Sequence, residues 1–67
     1  ELARIEAAFR ALPPDQREVI ALARVAGLPH EEIARRMGRT PAATRSLLSR
    51  SLARLALALE DGAERSR

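Results

Sequence analysis

Between positions 35 and 54 the chain carries Arg35, Arg36, Arg39, Arg45, Arg50 and Arg54, and no carboxylate interrupts them. A guanidinium offers a planar fork of N–H donors that matches phosphate oxygens and the acceptor edge of guanine. The acids lie elsewhere, at Glu1, Glu6, Asp15, Glu18, Glu31, Glu32, Glu60, Asp61 and Glu64. A basic segment bounded by acidic ones is the electrostatic footprint of a polyanion site, whereas a merely solvated face mixes its signs. Thr40, Ser46 and Ser49 stand among the arginines and add hydroxyl donors for phosphate or base. The net charge is +3 and all 12 basic residues are Arg. A GC-rich coding sequence accounts for much of that Arg and Ala usage, so placement rather than number carries the inference.

Other chemistries find no support. With no Cys there is neither a disulfide nor a thiolate metal site. His30 is the single His, and no further ligands cluster around it, so it reads as a polar residue opening a helix. The acids form no spaced pair in an apolar setting that would suit acid–base catalysis. Met37 reads as core filler, and a lone aromatic, Phe9, offers no platform for stacking single-stranded bases. No catalytic residue, cofactor site or metal site is therefore expected. No apolar run approaches the roughly 18–20 residues that span a bilayer, and no signal peptide is evident. The expectation is a soluble, cytoplasmic, nucleoid-associated protein with no membrane partner. Sixty-seven residues make one marginal domain. Glu1 in place of an initiator Met is expected of a piece of a longer protein or of a designed one.

Periodicity and punctuation give four helices to position the arginines. The first, about residues 1–12, places Leu2, Ile5, Phe9 and Leu12 on one face and stops at Pro13-Pro14. The second, about 15–26, carries the stripe Val19, Leu22, Ala23 and Ala26 with Ile20 beside it, and Gly27 supplies a left-handed C-cap. The third, 30–37, has Glu31 and Glu32 in its first turn and a narrow apolar face of Ile33, Ala34 and Met37. Gly38-Arg39-Thr40 makes a tight turn. Thr40 then serves as N-cap and Pro41 as first residue of a helix expected over 41–60, with a fraying polar tail at 61–67. On this last helix Thr44, Leu48, Leu52, Leu55 and Leu59 span about 80° at 100° per residue and must face the core. Leu47, about 100° away, is expected to be partly exposed. Leu57 falls opposite the Leu sector, packed on the first helix or open to a partner.

A short helix, a glycine-containing turn and a longer helix form a helix-turn-helix, whose second helix enters the major groove while the first braces it. The expected fold is thus all-α: a small four-helix helix-turn-helix domain, a tri-helical core plus an N-terminal helix, without winged features, spanning 1–67 as one domain. Ala43, Ser46, Arg50 and Ala53 point away from the core, with Arg45 and Ser49 on the flanks. Arg45 and Arg50 are expected to reach base edges, and each bidentate contact to guanine is worth roughly 1–3 kcal/mol of discrimination. Ser46 and Ser49 can donate to base or phosphate, and Ala43 can touch a thymine methyl. Arg35, Arg36, Arg39, Thr40 and Arg54 are expected on phosphate, which positions without specifying.

Ala8-Phe9-Arg10-Ala11-Leu12-Pro13, Arg17-Glu18-Val19-Ile20-Ala21-Leu22, Gly27-Leu28-Pro29-His30-Glu31-Glu32-Ile33-Ala34 and Met37-Gly38 together resemble region 4 of sigma-70-class initiation factors. The likeness is greatest to the extracytoplasmic-function group. It continues through Thr40, Arg45-Ser46, Leu48, Arg50, Leu52 and Leu55, covering roughly Ala8 to Glu60. The resemblance implies a domain that binds the −35 element of double-stranded promoter DNA through the helix matched by Pro41 to Leu55. It also implies docking on the β flap of RNA polymerase core and masking by an anti-sigma factor. Arg45, Ser46, Ser49 and Arg50 match its base- and phosphate-contacting positions. Three residues depart from the pattern: Thr44 where Val is usual, Leu47 where a basic residue is common, and Ser49 where an aromatic or His is frequent. Thr44 keeps the shape of Val, and its hydroxyl can bond back to the Thr40 carbonyl. Leu47 removes one phosphate contact, which implies modest DNA affinity.

Two alternatives stand beside this reading. LuxR-type response-regulator output domains share a Gly before an Ile-Ala pair, but this chain has one residue more than that pattern between Arg17-Glu18-Val19 and Glu32-Ile33-Ala34. A sigma-like module that binds proteins without reading DNA would be favoured by Leu47, Ser49 and Leu57. An enzyme is not expected.

Overall fold

The computed structural model describes the backbone of residues 2–65 and the side chains of residues 2–60. In chain order it contains α1 (Leu2–Arg10), α2 (Pro14–Ile20), a π-helical continuation (Ala21–Val25), α3 (His30–Met37) and α4 (Pro41–Arg65). The fold is all-α and built on a helix-turn-helix, and no strand occurs among the described residues. α4 runs through Arg65, beyond the end expected near Glu60, so the segment expected to fray is helical as far as it is described.

α1 closes with a tightened turn, Leu12 N–H to the Phe9 carbonyl at 3.1 Å, before the proline pair blocks continuation. Pro13 and Pro14 then open α2, where a missing N–H costs nothing. Arg17 crosses this corner: its Nη1 donates to the carbonyls of Arg10 (3.1 Å) and Leu12 (2.9 Å). A cation thereby satisfies carbonyls that the end of α1 leaves over.

The second helix departs from the regular form expected through Ala26. Ala26 N–H bonds to the Ala21 carbonyl five residues back, at 3.0 Å, and Leu28 N–H reaches the Leu22 carbonyl, also at 3.0 Å. Ala26, expected on the inward stripe, is exposed after this wider turn, and Val25 stands in solvent at 85% exposure. Gly27, at φ +71°, reverses the chain and returns Leu28 to the core.

α3 ends more regularly. Gly38 adopts φ 68°, ψ 36°, and Arg39 N–H bonds to the Ala34 carbonyl at 2.9 Å, a Schellman closure. A Cβ at Gly38 would meet nothing within 4 Å. The glycine is therefore required by conformation rather than space, and a side chain there would cost about 1–2 kcal/mol.

Leu12, Val19, Ile20, Ile33, Leu47 and Leu48 form the buried core, with Phe9, Leu22, Ala23, Leu28, Met37, Leu52 and Leu55 packed around it. Two expectations are corrected here. Leu47 is 3% exposed, not partly solvent-facing. The inward stripe of α4 is Thr44, Leu47, Leu48 and Ser51, continued by Leu52 and Leu55, because it includes buried hydroxyl residues as well as leucines. Thr44 and Ser51 are both fully buried, and their hydroxyls donate to the carbonyls of Thr40 (2.8 Å) and Leu47 (2.6 Å). This back-bonding removes the penalty of burying an unpaired hydroxyl. Second, Leu2 and Ile5 are exposed, at 71% and 45%, so the expected face of α1 buries only its C-terminal half.

Candidate nucleic-acid interface

The phase of α4 decides what its outer surface offers. Thr40 accepts the Ala43 N–H on Oγ1 at 3.1 Å, and its carbonyl accepts both the N–H (2.9 Å) and the hydroxyl of Thr44. This cap fixes the first turn of the helix, with Pro41 as its first residue. With Thr44, Leu47, Leu48 and Ser51 held inward, Ala43, Arg45, Ser46, Ser49, Arg50, Ala53 and Arg54 are all exposed. The four residues expected to read bases, Arg45, Ser46, Ser49 and Arg50, thus lie on the outward side of the first three turns.

These arginines differ in their surroundings. Arg50 Nε donates to the Ser46 carbonyl at 3.3 Å, which lays its side chain along its own helix. Arg54 lies nine residues beyond Arg45, half a turn round the helix and about 13 Å along its axis, so the two leave opposite flanks. Thr40 keeps its hydroxyl hydrogen for a further acceptor while its oxygen caps α4.

Arg35, Arg36 and Arg39 converge around the end of α3 and the turn, but not as bare charges. Glu32 pairs with Arg35 and, through Oε2 at 3.0 Å, with Arg36 Nε. Arg39 Nη2 lies 3.2 Å from Asp15 Oδ2 on α2. Acids that are separate from the basic segment in sequence therefore meet it in space. The Glu32 pairs were open to sequence reasoning as i, i+3 and i, i+4 neighbours. The Asp15–Arg39 pair, 24 residues apart, had no local signal. Nor did the capping role of Arg17.

Elsewhere the described residues hold no pocket and no group of three or more His, Cys, Asp or Glu able to bind a metal. No described helix is long and apolar enough to cross a membrane. Of the features that would favour protein binding without DNA readout, Leu47 is buried, Ser49 is exposed and Leu57 is 60% exposed.

Fold and surface together define an all-α helix-turn-helix domain with a basic outward face. Residues 2–55 match the family described as sigma-70, region 4, and the chain belongs to that family. Its domains generally bind the −35 promoter element and RNA polymerase, and the family is regulatory rather than catalytic. No curated protein and no solved structure matches the chain.

Proposed function

We propose that this chain is the promoter-recognition domain of an extracytoplasmic-function sigma factor, working in the cytoplasm at the nucleoid. In this reading the outward side of α4 enters the major groove of the −35 element, a groove about 12 Å wide that admits a helix. Arg45 and Arg50 take guanine edges, Ser46 and Ser49 take base or phosphate, and Arg35, Arg36, Arg39, Thr40 and Arg54 grip the backbone. Docking on the polymerase β flap and masking by an anti-sigma factor complete the role. The supporting observation is the phase of α4, which buries Thr44, Leu47, Leu48 and Ser51 and exposes Arg45, Ser46, Ser49 and Arg50. In-cell recognition relies on tethering to polymerase, which raises the effective concentration of a domain with modest affinity of its own.

Selection from a randomised duplex library tests this assignment. Arg45→Ala is expected to flatten the base preference by roughly 1–3 kcal/mol at one position. Arg54→Ala is expected to weaken all sequences alike. Identical preference profiles for the two variants would remove Arg45 from the reading set.

A further inference from the structure

The arginines of this surface fall into two groups by what already holds them. On α4, Arg45 and Arg54 have no carboxylate partner among the described residues, and Arg50 bonds only to a carbonyl of its own helix. Around the end of α3, in contrast, each arginine assigned to phosphate is paired with an acid: Arg35 and Arg36 with Glu32, Arg39 with Asp15. The Asp15–Arg39 pair is the tertiary one, joining the first turn of α2 to the turn of the helix-turn-helix. A carboxylate, like a phosphodiester, presents a pair of anionic oxygens that a guanidinium can bond together. Both partners are partly open to solvent, with Arg39 at 36% and Asp15 at 45% side-chain exposure, so a phosphate can reach the pair.

We infer that Asp15 competes with the DNA backbone for Arg39, an intramolecular phosphate surrogate that lowers the affinity of the free domain for duplex. The inference rests on the promoter-binding reading above. For Arg39 to offer phosphate the N–H that Asp15 holds, it must leave Asp15, and the released carboxylate then faces a polyanion. Exposed pairs of this kind are weak, so the competition is graded rather than all-or-none. It also weakens as salt screens the carboxylate.

The test is a double-mutant cycle on duplex binding with the 67-residue chain at low salt, with circular dichroism melting of each variant to confirm folding. Asp15→Asn is expected to tighten binding about two- to five-fold, the upper part of the range of an exposed ion pair. In an Arg39→Gln background the same substitution is expected to change binding by less than about 1.5-fold, because the competed group is gone. Asp15→Ser, another residue suited to a first helical turn, supplies the measurement if the Asn variant melts. Unchanged binding by a folded Asp15 variant would overturn the inference alone, and weaker binding would overturn it and make Asp15 a clamp that holds Arg39 in place. An equal gain with and without Arg39 would also overturn it, leaving only general repulsion of DNA by a negative charge. If the wild-type chain bound no duplex at any salt, promoter reading and this competition would fall together.

Discussion

α1 is the more apolar of the two in sequence, yet α1 and the α3–turn–α4 unit are held very differently. α1 buries Ala8 and Leu12 near its C-terminus, while Leu2 and Ile5 remain in solvent. Its attachments include the Arg17 cap at one end and, at the other, Arg4 Nη2 donating to the Leu59 carbonyl at 3.1 Å. The helix-turn-helix, by comparison, buries Ile33, Ala34, Thr44, Leu47, Leu48 and Ser51 and joins its two helices through a Schellman closure followed within two residues by an N-cap. The difference teaches where precision is concentrated. The unit proposed to aim side chains at DNA has its phase fixed by packing and by both helix ends, whereas α1 covers the core with its C-terminal half alone.

Substitutions across that contrast should differ sharply in effect. Ile33→Ala removes a side chain with no solvent exposure from the centre of the core and is expected to cost about 2–5 kcal/mol. In a domain whose total stability is on the order of 3–10 kcal/mol, that shifts the thermal midpoint strongly or unfolds the chain. Leu2→Ala, on a residue 71% exposed, is expected to stay within about 0.5 kcal/mol. Chemical denaturation of the two variants measures both. Comparable losses would mean that α1 is as firmly integrated as the helix-turn-helix.

The same contrast explains what could be read from the sequence. Thr40-Pro41, Gly38 and Gly27 announced their roles because cap and left-handed positions depend on the local residue type. The four-helix order and the outward placement of Arg45, Ser46, Ser49 and Arg50 followed from punctuation and period. Leu47 falls outside the expected sector because a stripe drawn through Thr44, Leu48, Leu52, Leu55 and Leu59 omits Ser51 and shifts the apparent centre of the buried face. A hydroxyl that bonds to its own helix can occupy the core as a small residue does, and composition does not reveal that. The π turn at Ala21–Val25 carries no residue signature, and after it Ala26, expected on the inward stripe, is exposed. Leu2 and Ile5 have the right spacing for burial, but α1 has too little core to cover both. At the interface, a linear view of charge separated acids from bases, and only the tertiary fold brought Asp15 to Arg39.

The central claim, that α4 meets duplex DNA with its outward side, is tested most directly by backbone amide chemical-shift mapping. The isotope-labelled chain would be titrated with the duplex recovered by selection. Perturbations are expected to concentrate at residues 39–50, with a lesser set at the end of α3. Perturbations centred on α1 or around Val25, with residues 39–50 unmoved, would contradict it.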